Sequence, residues 1–304
     1  MIQIIVFSFN RTLQLDALLS SIKQYWTNTE YQLSVLYNTS NKEYQTGYKI
    51  LEENYPQYRF VKETNGNYKY SFQDYLSLFN LKKLIRYKML RTQHSNFRNL
   101  LNQLITESNC DYIMFLTDDS IFIKNVRLSS VDLAFIDKNP KQNSISLRLG
   151  KYITTPPSDL KIDEGKIKWN FNKYRNYRSW GYNFSVDGHI YSTSIIKHLI
   201  KRIIYTNPSF LEAVICDYVK RNKFLDVCLT YEEPYLLSYP INMVQNIVTN
   251  ESLNVSEAYL NQCFLNHKRL IYPIPSKINE FQQYPDYIII EDKNGKEILR
   301  TKQS

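Results

Sequence analysis

Residues 112–120 read Tyr-Ile-Met-Phe-Leu-Thr-Asp-Asp-Ser, five apolar residues running straight into two adjacent carboxylates. A single acid at the end of a buried segment can cap the next turn, but a pair is more than a cap requires. Hard divalent cations take oxygen ligands. Mg²⁺ or Mn²⁺ is typically held by one or two carboxylates together with substrate phosphates. Asp119 and Asp118 are therefore candidate metal ligands in a site for a diphosphate. A cation held there would neutralise the diphosphate and stabilise it as a leaving group.

The rest of the composition narrows how a phosphate can be held. Only seven glycines are present, and neither GxGxxG nor GxxxxGK[ST] occurs, so a dinucleotide loop and a P-loop are both excluded. The four cysteines (Cys110, Cys216, Cys228, Cys263) form no CxxC pair and read as free thiols rather than a zinc site. The net charge of +9 favours anionic partners without choosing among them. No apolar run reaches the ~20 residues of a membrane span. The opening MIQIIVFSFNR lacks the basic region and cleavage site of a leader, so it reads as a first strand of a cytoplasmic protein.

The elements that must position the acids follow from hydrophobic periodicity. Strands are expected over 2–9, 31–38 and 59–63, with helices over 13–26, 43–54 and 97–108, the last leading into 112–116. This alternation implies βαβ units and an α/β fold whose sheet is parallel and covered on both faces. Ligands of such sheets bind beyond the carboxyl ends of the strands, where Asp118 and Asp119 stand. Residues 64–96 break the rhythm. In 80–91 a helix is expected, with Leu78, Leu81, Ile85 and Met89 along one face and Lys82, Lys83, Arg86 and Arg91 around them. It reads as a surface helix with a solvated basic face, or as a segment facing a membrane surface or a phosphate. Antiparallel strands are expected after residue 143, a helix over 192–204, and a closing hairpin in YIIIEDKNGKEILR.

VFSFNR (6–11) and MFLTDDSIF (114–122) resemble the opening strand and the DxD-type motif of GT-A-fold glycosyltransferases of the bacterial family 2-like kind, with Thr117 departing from a strict D-x-D. NMVQN (242–246) is similar to a segment of such bacterial proteins. The resemblance implies a GT-A fold: a mixed, mostly parallel central sheet flanked by helices. It implies a domain over 1–245 (a nucleotide half, 1–122, and an acceptor half, 123–245) and a helical and hairpin extension over 246–304. Ser8, Asn10 and Arg11 would line the nucleotide pocket, Asn38 and Ser40 would stand near the base, and Arg98 would offer a cation to the diphosphate. Asp119 would be the direct metal ligand, with Asp118 nearer the sugar or ribose.

Inverting transfer needs a carboxylate to take the proton of the attacking acceptor hydroxyl. Asp187 in FSVDGHIYS and Glu212 in NPSFLEA are the candidates, and the placement of Glu212 at a helix start resembles the family's base. An acid there also simply suits the helix dipole. Trp180, Tyr182 and Phe184 could stack on a sugar ring or pack in the core. The implied reaction uses Mn²⁺ or Mg²⁺ and moves a sugar from a nucleoside-diphosphate donor to a glycan or lipid-linked acceptor in surface polysaccharide synthesis. Peripheral contact with the inner membrane face is part of the same expectation, and nucleic acid is not an expected partner. A nucleotidyltransferase would carry a glycine-rich N-terminal loop with a lysine, which SFNRTLQ lacks. A nucleic-acid-binding protein is suggested by charge and by KWNFNKYRNYR (168–178), yet paired acids oppose phosphate unless a cation intervenes.

Overall fold

The computed structural model describes residues 1–175, 179–242, 253 and 255–300. The chain opens with β1 (Ile2–Phe9), α1 (Thr12–Tyr25), β2 (Tyr31–Asn38), α2 (Lys42–Asn54) and β3 (Arg59–Lys62). Alternate residues of β1 enter opposite cores: Ile2, Ile4 and Val6 on one face of the sheet, Ile5 and Phe7 on the other. This period of two explains why the strand reads as an unbroken apolar run. Asn41 caps α2 by accepting from the backbone of Glu43 and Tyr44.

Residues 64–96 form a layer of short pieces: β4 (Asn65–Tyr68), α3 (Phe72–Leu76), α4 (Leu78–Arg86), a 3₁₀ turn over Lys88–Arg91, and β5 (Gln93–Ser95), which pairs with β4. The single helix expected over 80–91 stops at Tyr87, whose backbone leaves the helical region (φ −112°, ψ 89°). The break lets Leu90 sink into the core, where its carbonyl accepts from the Tyr70 hydroxyl at 2.6 Å.

α5 (Phe97–Glu107) leads into β6 (Tyr112–Thr117), β7 (Ser120–Phe122), α6 (Ser130–Lys138) and β8 (Asn143–Ser146). Ser129 and Asp132 form a capping box at the start of α6. The chain continues through β9 (Ile162–Asp163), β10 (Lys166–Asn170), β11 (His189–Ser192), α7 (Thr193–Ile200), α8 (Pro208–Asn222), β12 (Val227–Tyr231) and β13 (Leu236–Ser238). It closes with α9 (Glu257–Leu265), β14 (Arg269–Ile271), β15 (Tyr287–Asp292) and β16 (Gly295–Arg300).

Nine strands form the central sheet in the order β3-β2-β1-β6-β11-β8-β12-β10-β9. Only β11 and β10 run against the others, which makes the sheet mixed and mostly parallel, as expected. One face is covered by α1, α2, α9 and the sheet β14–β16, whose Leu260, Phe264, Leu270, Ile288 and Ile290 join the same core as Leu15 and Leu18 of α1. The other face is covered by α5, α7 and α8. A third cluster around Trp169 and Trp180 buttresses the β10 edge, their rings 4.8 Å apart.

The registers decide where the acids sit. β1 pairs in parallel with β6 from Ile2 opposite Tyr112 to Phe7 opposite Thr117, and with β2 up to Phe9 opposite Asn38. The turn after β1, the end of β2 and the acidic pair after β6 therefore emerge side by side at one edge.

Candidate active site

A cavity of about 600 Å³ opens at that edge. Ser8, Arg11, Asn38, Asp118 and Asp119 line its first half, Asp187 and Glu212 the second. Glu63, Asn65, Met89, His94 and Ser95 close one side, and Asn242 and Gln282 close another.

The two adjacent acids have different fates. Asp118 is buried and held at both oxygens: one carboxylate oxygen accepts from Ser8 Oγ at 2.7 Å and from the Phe9 backbone N–H at 3.2 Å. The other accepts from the Arg11 guanidinium at 3.0 Å. Ser8 gives its proton to Asp118, so the Tyr48 hydroxyl, 2.5 Å from Ser8 Oγ, is the donor in that second contact. Burial, and then the charge of Asp119, pushes the Asp118 carboxyl up against the pull of Arg11. Asp119 is half-buried, accepts from Thr117 Oγ1 at 2.7 Å and lies 3.5 Å from Arg11 Nη1.

Arg11 is thus held among acids of its own chain. Asn242 fixes its far side by accepting from Nε at 2.8 Å through its side chain and from Nη2 through its carbonyl. Burial lowers the affinity of this guanidinium for its proton, but Asp118 and then Asp119 more than restore it. Of the segment 242–246, only Asn242 lies among the described residues.

Asn10 has a left-handed backbone (φ 57°), a conformation that Asn tolerates better than most residues. Its side chain and Ser40 bond each other twice, at 2.8 and 2.9 Å, tying the turn after β1 to the turn after β2. Neither residue lines the cavity, so their part is to hold the turns. Asn38 does line it, with its amide on Asn65 Oδ1 at 2.8 Å. Arg98 is placed elsewhere than expected. Its guanidinium grips Asp74 at 2.7 and 2.9 Å, donates to the Ile203 carbonyl at 3.0 Å and does not line the cavity. A buried carboxylate within reach outcompetes a more distant anion for a buried cation. Trp180 and Phe184 are wholly buried and serve the core, and Tyr182 packs against the same core as Phe184. None of the three reaches the cavity wall.

The second half of the cavity is short of positive charge. Asp187 takes a hydrogen bond from Thr117 Oγ1 at 2.8 Å and an ion pair from Arg148 at 3.3 Å. Thr117 has one proton for two carboxylates, so one of its contacts needs a proton on the acid or a cation beside it. Burial, and then the neighbouring Asp119, raises the Asp187 carboxyl, with Arg148 opposing. Glu212, in the first turns of α8, accepts from the Val186 backbone N–H at 3.1 Å. Burial and then the charge of Asp187 push its carboxyl up to about 7. α8 is aimed at the cavity by the Asn207 cap, which accepts from the Phe210 backbone, and by Pro208 at the first helical position.

These groups fit a cation unevenly. Asp118 is the more heavily committed of the two acids, with Ser8, the Phe9 backbone and Arg11 already on its oxygens. Asp119 faces the cavity and retains acceptor capacity. Among the described residues, no group of three or more His, Cys, Asp or Glu side chains stands ready to hold a metal. A cation at Asp119 would therefore need oxygens from a bound phosphate, the mode in which Mg²⁺ is commonly held. Sequence reasoning missed Arg148 and Thr117, which lie in apolar-looking strand ends. It also missed Glu63, Asn65 and His94, which the β4–β5 pairing brings round to the cavity.

No protein-family model matches the chain. It is 23% identical over 309 residues to the bifunctional glycosyltransferase pgtA of Dictyostelium discoideum, a match that takes in 88% of this chain. The chain spans 36% of the length of that curated relative. Among solved structures it is similar to S. aureus TarS 1-349 (14% identity, TM-score 0.44, 78% of this chain and 60% of that one). The same protein in complex with UDP-GlcNAc is also similar (12% identity, TM-score 0.44, 88% and 70%). So is the mannosyltransferase PcManGT from Pyrobaculum calidifontis in complex with GDP-Man and Mn²⁺ (12% identity, TM-score 0.35, 65% and 46%). The expected likeness to glycosyltransferases is met by the curated relative.

Proposed function

We propose that this chain is a glycosyltransferase that moves a sugar from a nucleoside diphosphate to a hydroxyl of a glycan or lipid-linked acceptor. The observation that carries the reading is the division of one cavity. Strand-end acids and the β1 turn stand on one side, and an under-compensated carboxyl pair, Asp187 and Glu212, stands on the other. The relatedness to a curated glycosyltransferase supports it.

In this reading Ser8, Arg11 and Asn38 border the nucleotide, Arg11 by holding the β1 turn closed on Asp118. Asp119 would hold a divalent cation, Mn²⁺ or Mg²⁺, together with the donor diphosphate. That cation would supply charge neutralisation for the departing diphosphate. Glu212 is the base: a carboxyl raised to about 7 is matched to taking a proton near neutral pH. As the acceptor oxygen forms its bond to the anomeric carbon, the bond to the diphosphate breaks. The hydroxyl proton passes to Glu212. Asp187, held by Thr117 and Arg148, keeps that carboxyl raised until the proton is needed.

The test is thermal stability with UDP, GDP, CDP and ADP, each with and without Mn²⁺, on the wild type and Asp119→Ala. A ligand at about 100 times its dissociation constant stabilises the fold by ~2.7 kcal/mol. A Mn²⁺-dependent shift with one nucleotide, lost in the variant, is the expected outcome. No shift with any of them would sink the proposal.

A further inference from the structure

α4 turns much of its apolar surface outward. Asn80 and Lys83, both polar, are its buried positions, Phe79 and Leu84 pack partly buried against the core, and Leu78, Leu81 and Ile85 face outward. Polar contacts hold the helix in this orientation. Lys83 pairs with Asp217 of α8, and Asn80 donates to the Asp74 carbonyl at 3.2 Å. Asp74 is itself locked to Arg98. Buried ion pairs are costly to break, so the helix cannot roll over to hide its apolar face.

The exposed face continues on both sides. Phe72 (77%), Leu76 (69%), Leu78 (67%), Ile85 (71%) and Met89 (57%) are all solvent-facing within one short stretch of chain. An apolar patch of this kind marks a site of interaction. Around it Lys69, Lys82, Arg86, Lys88 and Arg91 are exposed. The only acid in the stretch, Asp74, is buried. Aromatic and aliphatic side chains interleaved with lysine and arginine are what an anionic lipid surface selects. A second copy of the chain would set this ring of cations against its own like charges.

We infer that residues 69–91 form a docking surface for an anionic phospholipid bilayer, with the apolar side chains dipping into the interface and the cations on the headgroups. Met89 belongs both to this face and to the cavity lining, so a chain docked this way carries the cavity at the membrane. That last consequence draws on the proposed transfer to a lipid-linked acceptor; the docking itself does not.

The test is co-sedimentation of the full chain with phosphatidylglycerol-containing vesicles and with vesicles of phosphatidylcholine alone, at low and high salt, without nucleotide. Binding to the anionic vesicles, weakened by salt, is expected. K82E/K88E should reduce it by about tenfold or more, since each Lys or Arg near an anionic surface contributes about 1 kcal/mol, roughly a factor of five. Phe72→Ser with Leu76→Ser and Ile85→Ser should abolish it while the thermal unfolding of the parent persists. Three results would overturn the docking surface: no binding to either vesicle, equal binding to both, or binding undiminished in both variants. Patch-dependent self-association or RNA binding in place of vesicle binding would do the same. Because no nucleotide is present, failure here leaves the transferase reading intact, and failure of that reading leaves this one intact.

Discussion

The two walls of the cavity handle negative charge in opposite ways. On the β1–β6 side, Asp118 is met by a guanidinium, a hydroxyl and a backbone N–H, and Arg11 is clamped in turn by Asn242. On the far side, Asp187 and Glu212 share one guanidinium, and both carboxyls are raised. The first arrangement is tied down by direct hydrogen bonds and an ion pair; in the second, Glu212 is pushed up to about 7. A site that must bind an anion and then accept a proton needs both, and it needs them on different walls.

The largest effect should come from the loosely held wall. Glu212→Gln removes a base but leaves an oxygen to accept from Val186, so turnover should drop by roughly 10²–10⁴-fold with the fold retained. Transfer rates alongside a melting curve check it, and a variant as active as the wild type would move the base to Asp187. Next comes the clamped wall. Arg11→Met strands Asp118 as a buried, unpaired carboxylate and should cost about 3–5 kcal/mol of stability by denaturant unfolding. The double change with Asp118→Asn should recover part of that loss, which sets the pairing apart from simple packing.

The smallest effect is a slope with pH. Glu212 titrates near 7 in the folded chain but at the ordinary carboxyl value of 4.5 when unfolded, so between these values the folded state binds more protons. Stability from this group is full below 4.5 and is lost as pH rises through about 7. Asp187 and Asp118, also raised, act in the same sense. Asp74 and Asp132 are lowered by Arg98 and Lys166 respectively, against burial, so their contributions vanish only in more acidic solution. Unfolding followed from pH 5 to 8 should show the decline, and Glu212→Gln should flatten it.

Much of this was legible in residue order. The alternation of apolar runs located β1, β2, β6, α1, α2 and α5 to within a residue or two, and the acidic pair marked the edge at which the cavity opens. The roles of the charged groups were less legible. VFSFNR shows an arginine after a strand, but only the register of β1 on β6 reveals that this arginine faces Asp118. Arg98 invited a phosphate because the sequence does not reveal that Asp74 lies beside it. The stripe Leu78–Leu81–Ile85 was visible too. Which way a stripe points depends on what else can be buried, and here Asp217 and Asp74 reward the polar face instead. The nucleic-acid alternative drew on residues 168–178, of which 176–178 lie outside the described residues.

Gly188 carries a consequence for how the chain tolerates change. Its φ is +70°, and a Cβ there would lie 2.4 Å from a methyl of Leu236. The residue follows Asp187 and donates its N–H to the Phe115 carbonyl at 2.9 Å, so it fixes where that acid's backbone sits. Most side chains would have to change the backbone and the β13 contact together. In a saturation library selected for transfer, position 188 should be nearly blank. Gly165 and Gly295, where a Cβ would meet nothing within 4 Å, should accept more replacements despite their own positive φ.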